Sequence, residues 1–161
     1  MVLTGILLAL TVVFQYTSRF FSQYVTGSAV NAMLFLTTAI VGTWSGVIVG
    51  CFTPIVALTL GIMGRPEMVP FIAIGNGLLC LVYGFLRKVN ELAAYLVSVV
   101  VKFVWLAFSV RYLVSLFGFK APAPLIQMMT FPQLITGLLG AVVAFSALTV
   151  LQKHLNLKRL G

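Results

Sequence analysis

The residues of this chain that could do chemistry lie on one stripe of a long apolar segment. Beginning at Glu91, polar and aromatic residues recur at alternating spacings of four and three, which places them on one face of a helix. They are Tyr95, Ser98, Lys102, Trp105, Ser109 and Tyr112. At a rise of about 1.5 Å per residue, Lys102 lies roughly 15 Å along that helix. A charge at such a depth in an apolar helix is typical of a cavity or a partner site.

Two interpretations of Lys102 stay open. The chain has two acidic residues, Glu67 and Glu91, and both lie near predicted loops. With no acid at its depth, Lys102 fits an anionic or carbonyl-rich ligand that supplies the counter-charge, with Trp105 and Tyr112 as stacking walls. Alternatively, helix-end carbonyls or water satisfy Lys102, and the residue only fixes packing.

Further polar side chains fall in the same half of the predicted bundle. Asn76 stands between two glycines, where its amide could recognise the hydrogen-bonding groups of a ligand or bridge two helices. The others are Gln15, Asn31, Gln133 and Thr136. The opposite half consists mostly of Val, Leu, Ala and Gly. This distribution predicts a pocket open to the outside of the cell, with a closed cytoplasmic floor.

The composition indicates a protein surrounded by lipid. Of the 161 residues, 61% are hydrophobic and 7% are charged, and the mean hydropathy is +1.17. A soluble domain needs more charge to cover its surface, and a disordered chain is polar and poor in aromatic residues. The net charge of +8 comes from cations scattered between apolar runs. That scatter does not form a nucleic-acid surface, so no nucleic-acid partner is expected.

Six apolar runs are candidates for membrane spans, which need about 20 residues each. The runs cover about residues 2–16, 29–41, 44–63, 69–86, 92–117 and 132–152. The main breaks are 17–28, 64–68, 87–91 and a proline-containing stretch, 118–131, that suits an ordered cap better than a helix. We therefore predict an all-α polytopic membrane protein, a compact bundle of six transmembrane helices that forms a single integral membrane domain over residues 1–161.

The positions of the cations predict that both termini are cytoplasmic. The inner side would then hold Arg87, Lys88, Lys153, Lys158 and Arg159. The outer side would hold Arg19, Arg65 and Lys120. The first apolar run lacks a basic leader and a clear cleavage site, so we interpret it as a retained helix. Arg111 is expected to be a snorkelling anchor at the outer headgroups, because it lies on the face opposite Lys102.

The sequence contains no machinery for catalysis. It has no phosphate-binding Gly-x-x-x-x-Gly-Lys-Ser/Thr motif, and its single histidine, His154, lies among tail lysines. No His, Cys and Asp residues are spaced to bind a metal. We therefore expect neither an enzyme nor a cofactor or metal site. The lack of a deeply placed carboxylate also argues against a proton-coupled carrier.

Several glycine- and proline-containing segments resemble one family of transport proteins. They are Thr-Gly-Ser-Ala-Val-Asn at 26–31, Val-Gly-Thr-Trp-Ser-Gly-Val-Ile-Val-Gly at 41–50, Thr-Pro-Ile at 53–55, Val-Pro-Phe-Ile-Ala-Ile-Gly-Asn at 69–76 and Leu-Ile-Thr-Gly-Leu-Leu-Gly at 134–140. These segments are similar to the S components of energy-coupling factor (ECF) transporters. The resemblance implies a six-helix protein that binds a vitamin or related micronutrient. It also implies delivery of the substrate by toppling on a transmembrane coupling scaffold with two ATPase subunits.

The resemblance also implies roles for particular residues. The family's scaffold-docking Ala-x-x-x-Ala corresponds here to Gly5 and Ala9, a small-residue pair that could equally serve internal packing. Ligands in the family contact helices 4 to 6 and the outer loops, which is the region of the polar stripe. The candidate substrate-binding residues are Asn31, Asn76, Lys102, Trp105, Ser109, Tyr112 and Gln133.

The preferred hypothesis is the substrate-capture subunit of a micronutrient importer in a prokaryotic cytoplasmic membrane. Its ligand would be small, water-soluble and anionic because of Lys102, and pantothenate or a similar vitamin acid would fit. The alternative is a small structural protein of the rod-shape-determining type, which would need neither a deep lysine nor an outward pocket. A carrier that powers its own transport is a third hypothesis.

Overall fold

The apolar runs fold into helices, which satisfy their backbone groups internally. The computed structural model describes residues 2–18, 20–119 and 121–155. Six long helices form the bundle: α1 Val2–Ser18, α2 Gln23–Ile40, α3 Thr43–Thr59, α4 Val69–Leu86, α5 Glu91–Phe108 and α6 Phe131–Leu155. The all-helical fold class and the predicted number of long helices are therefore confirmed for the described residues. Arg19, Lys120, Lys158 and Arg159 lie outside them.

Shorter helical pieces extend or connect the long helices. A 3₁₀ turn, Pro66–Met68, leads into α4. A π-helical turn, Ser109–Leu113, and a last turn, Val114–Leu116, continue α5. Three continuous segments are long and apolar enough to cross a membrane, namely Pro66–Leu86, Glu91–Leu116 and Ala123–His154, and α1 and α3 are shorter apolar helices. The architecture is consistent with a membrane bundle.

Helix α2 begins earlier than the sequence predicted. The predicted break covered residues 17–28, whereas α2 starts at Gln23 with Ser22 as its N-cap. The Ser22 hydroxyl accepts a hydrogen bond from the Val25 backbone N–H at 3.4 Å, as is typical of an N-cap. The first turns of α2 are polar, so a search for apolar runs missed them. These turns line a cavity, which explains their polarity.

The predicted cap between α5 and α6 contains a short helix, Ala123–Met128. Its prolines do not prevent it, because Pro122 is the N-cap and Pro124 lies in the first turn, where no intrahelical N–H bond is needed. Leu125 packs in a buried cluster with Met68 and other apolar side chains from α4 and the end of α5. The short helix therefore closes over one end of the bundle.

The other end of the bundle is filled by aromatic side chains. The ring centroids of Phe35 and Tyr83 are 4.9 Å apart, and those of Tyr83 and Tyr95 are 4.6 Å apart. The two tyrosine hydroxyls share a 3.0 Å hydrogen bond, and all three residues are buried. Tyr95 lies about two turns of α5 before Lys102. This aromatic cluster separates Lys102 from the end of the bundle at which α4 finishes and α5 begins.

Glycines on α6 let α2 and α5 pack closely against it. A Cβ atom at Gly140 would lie 2.6 Å from the Asn31 Cβ and 2.9 Å from the Ser28 carbonyl oxygen. A Cβ atom at Gly137 would lie 2.6 Å from a methyl group of Val99. Gly137 and Gly140 therefore serve packing within this chain, and Gly140 lets Asn31 lie against α6.

Candidate functional site

A cavity of about 300 Å³ lies at the end of the bundle covered by the short helix. It is enclosed by the end of α1, the start of α2, the end of α3, the first half of α4 with the turn before it, the middle of α5, the short helix and the start of α6. Its rim includes the exposed residues Ser22, Gly64 and Arg65, whereas Asn31, Asn76 and Lys102 are buried at its depth. The four predicted site residues that line it are Asn31, Asn76, Lys102 and Gln133.

Lys102 forms a hydrogen-bonded series with α2 and α6. Its Nζ donates to Asn31 Oδ1 at 2.6 Å, and Asn31 Nδ2 donates to Thr136 Oγ1 at 3.4 Å. The Thr136 hydroxyl in turn donates to the Gln133 backbone carbonyl at 3.2 Å. Lys102 is only 5% exposed, so its ammonium group is held in place by a neutral amide deep in the bundle.

No carboxylate side chain neutralises Lys102. Glu67 forms a 3.2 Å ion pair with Arg65 near the rim, and Glu91 is exposed in the first turn of α5. These are the two acidic residues of the chain. An ammonium group can donate three hydrogen bonds, and Lys102 lines the cavity. The site can therefore attract an anion or a strong acceptor.

Asn76 contributes a second polar group to the cavity. Its Nδ2 donates to the Gly50 backbone carbonyl of α3 at 3.1 Å. Asn76 is 2% exposed, and its Oδ1 accepts no hydrogen bond from the described residues. The Oε1 atom of Gln15, which lines the cavity from α1, is likewise without a donor among them. Two residues of the cavity lining, Asn76 and Gln15, thus bury an amide oxygen that has no donor among the described residues.

The other three predicted residues, Trp105, Ser109 and Tyr112, do not line the cavity. Trp105 Nε1 donates to the Phe71 backbone carbonyl at 2.8 Å, and so it ties α5 to α4. Ser109 is buried, and its hydroxyl donates to the Trp105 carbonyl at 2.7 Å. Tyr112 is 59% exposed, and its ring packs at a tilt against that of Phe108, with 5.4 Å between the ring centroids. The structure thus brings Lys102 together with residues of other helices rather than with the rest of its own stripe.

The contact between Asn76 and α3 was not anticipated from the sequence. Gly50 and Pro54, which belong to two of the glycine- and proline-containing segments of the sequence, lie four residues apart on α3. The spacing of these two residues could have indicated the contact. A proline inside a helix has no N–H, so the carbonyl four residues earlier lacks its usual backbone hydrogen bond. A polar side chain on a neighbouring helix can donate the missing hydrogen bond to such a carbonyl.

Gly5 and Ala9 lie away from the cavity, on the exposed side of α1. A Cβ atom at Gly5 would meet nothing within 4 Å. Large apolar side chains beside this pair are also exposed, among them Ile6 at 50% and Val13 at 55%. This face of α1 has no packing partner among the described residues that would account for the two small residues.

Long apolar helices around a cavity with buried polar residues are features of multi-pass membrane proteins that handle small solutes. The chain belongs to the family of ECF transporter substrate-specific components, which it matches over residues 1–151. The resemblance found in the sequence is thereby confirmed. No curated protein and no solved structure matches the chain.

Membership defines the protein at the level of its class. It is a multi-pass membrane protein and the substrate-specific subunit of an ECF transporter, and such subunits bind a small-molecule substrate and associate with the ECF module. The family is one of transporter components and not of enzymes. This decides between the two main hypotheses in favour of the transport subunit over the structural protein.

Proposed function

We propose that this subunit captures a small, water-soluble, anionic vitamin or related micronutrient in the cavity at Lys102. The observation that carries the proposal is the buried Lys102 ammonium group, whose hydrogen-bond partner Asn31 is neutral. A charge in the membrane interior normally has a partner or a functional role. A carboxylate of the solute would complete this site with a charge-assisted hydrogen bond.

The size of the cavity supports a small solute. A volume of about 300 Å³ is at the lower end of the range of roughly 300–1,000 Å³ for ligand pockets. Side chains of Met63, Met68 and Met129 supply apolar, adaptable walls beside the polar ones. Pantothenate and vitamin acids of similar size suit both features.

Energy for uptake would come from a coupling module of a transmembrane scaffold and two ATPase subunits, because the sequence itself has no nucleotide-binding motif. Gly5 and Ala9 are the proposed contact with that scaffold, since small residues let helices approach closely. The importer would lie in the cytoplasmic membrane of a prokaryotic cell.

The experiment that tests the substrate class is a calorimetric titration of the purified protein with acids and their primary amides. Nicotinate and nicotinamide form one such pair, and biotin, lipoate and pantothenate are compared with their amides in the same way. We expect at least one acid to bind about 30-fold or more tightly than its amide, the equivalent of about 2 kcal/mol for a buried charge-assisted hydrogen bond. Tight binding of a neutral or cationic vitamin, with no acid bound, would contradict an anionic substrate.

The proposed orientation places the cavity toward the outside of the cell. Arg87, Lys88 and Lys153 lie at or beyond helix ends opposite the cavity, whereas Arg65 lies at the cavity rim. An excess of cations favours the cytoplasmic side. The cavity would therefore open outward, with the aromatic cluster toward the cytoplasm.

Cysteine labelling of intact cells tests this orientation. A membrane-impermeant maleimide is expected to label Gly64→Cys and to miss Lys88→Cys, both at exposed positions. The unsubstituted protein is the background control, because Cys80 is buried and Cys51 is half-buried within helices. Permeabilised cells should label both variants. Labelling of Lys88→Cys alone in intact cells would place the cavity on the cytoplasmic side and refute capture from outside.

A further inference from the structure

Pro54 lies inside α3 and leaves one backbone carbonyl without its helical partner. Proline has no N–H, so the carbonyl of Gly50, four residues earlier, cannot accept the usual hydrogen bond. In a membrane-spanning helix such a group is satisfied by a neighbouring helix. Here Asn76 Nδ2 supplies that bond. Glycine at position 50 permits the approach of α4, because a Cβ atom there would lie 3.1 Å from the Asn76 Cβ.

This bond fixes the orientation of the Asn76 amide. The reversed amide would place Oδ1 against the Gly50 carbonyl oxygen, and neither atom carries a hydrogen to share. Nδ2 therefore faces α3, and Oδ1 is the atom of the amide left to accept a hydrogen bond. Asn76 is one of the residues that line the cavity. Oδ1 is buried and accepts no hydrogen bond from the described part of the chain. A buried acceptor of this kind is costly unless a donor meets it.

We propose that Asn76 Oδ1 selects solutes that carry an N–H or O–H donor in addition to the anionic group that meets Lys102. The inference rests on the proposed function of the cavity and narrows its substrate class. Lys102 can only donate hydrogen bonds, whereas Asn76 Oδ1 can only accept them. The two residues would therefore bind an acceptor group and a donor group of one molecule. The solute is therefore an acid that also has an amide, ureido or hydroxyl group. An acid without such a donor leaves Oδ1 unpaired.

Biotin and lipoate are matched probes of this selection. Both carry a pentanoate chain on a sulfur-containing five-membered ring, but biotin adds a ureido group with two N–H donors and lipoate has no such group. Pantothenate, with amide and hydroxyl donors, and nicotinate, with none, form a second comparison. By calorimetric titration, we expect an acid with a donor to bind about tenfold or more tightly than the acid without one.

A pair of variants separates the role of Asn76 in selection from its role in the fold. Pro54→Ala restores the N–H that can bond to the Gly50 carbonyl, so the backbone of α3 no longer depends on Asn76. In the Pro54→Ala protein we expect the preference for the donor-bearing acid to persist. In Pro54→Ala/Asn76→Ala the fold is expected to survive, and the preference should fall by about tenfold because the acceptor is gone.

The outcomes distinguish this inference from the function on which it rests. If acids bind in preference to their amides but donor-bearing and donor-less acids bind alike, or if the preference survives in the double variant, Oδ1 contacts only water. Donor selection is then wrong, and the anionic-solute function stands. If no acid binds in preference to its amide, the proposed function fails, and donor selection fails with it.

Discussion

Replacing Lys102 with methionine is expected to weaken binding of an anionic solute by about 2 kcal/mol or more, which is about 30-fold, while the protein still folds. Methionine has a similar length and does not bury a charge. Removing the buried charge favours the folded state. This gain in stability offsets the hydrogen bond that Asn31 Oδ1 loses, whose donor is Lys102 Nζ. Calorimetric titration with the acid that binds the unsubstituted protein, together with melting temperatures, measures both effects.

Two further variants show whether the charge itself causes the effect. Arg111→Met also replaces a cation with methionine, at an exposed position of the π-helical turn that continues α5, and it is expected to leave affinity nearly unchanged. Asn31→Asp keeps Lys102 but gives it an internal counter-ion of nearly the same shape, so the protein should fold and lose its preference for acids over amides. Normal binding by the Lys102 variant, or equal losses in Lys102→Met and Arg111→Met, would show that Lys102 serves packing alone.

Replacing Gly5 and Ala9 together with leucine is expected to abolish coupled uptake while leaving solute binding by the isolated subunit intact. Both residues are exposed on α1, and a Cβ atom at Gly5 has open space around it. Leucine therefore fits within this chain but holds a partner helix away. Overpacking at a helix contact costs about 1–3 kcal/mol, so association with the coupling scaffold should weaken by at least about fivefold.

Co-purification with the coupling module and uptake of labelled solute measure this effect. Ile6→Leu is the matched control, since it alters a neighbouring exposed position of the same helix without adding volume beside the small residues. It should behave like the unsubstituted protein. Normal uptake and co-purification by the Gly5 and Ala9 variant would mean that another surface binds the scaffold.

Much of the helical framework could be predicted because it depends on local properties of the chain. A long run of apolar residues in lipid must satisfy its backbone groups within a helix, and counting such runs predicted the number of long helices. The start of α2 at Gln23 was missed for the same reason, since those turns are polar and line the cavity. A search for apolar runs finds helices that face lipid, but it misses a helical turn whose polar side chains face a cavity.

The candidate site could be predicted only in part. The sequence alone indicated that Lys102 lies deep in an apolar helix without an acidic partner, because the chain has two acids and both are near predicted loops. The heptad-like spacing also placed Trp105 and Tyr112 near Lys102 on one stripe. Such a stripe drifts by about 20° per heptad around a straight helix, and a π-helical turn follows at Ser109. Tyr112 is consequently exposed, away from the cavity.

Only the tertiary structure decided which distant residues meet Lys102 and Asn76. Asn31 lies 71 residues before Lys102 in the chain, and the Gly50 carbonyl lies 26 residues before Asn76. The sequence by itself determined that Lys102 needs a partner and that Pro54 frees a carbonyl, since both follow from the chemistry of a single helix. Periodicity gives the direction of a side chain around its own helix axis, but the neighbour in that direction is set by how the helices pack, and close approaches at Gly50 and Gly140 determine that packing.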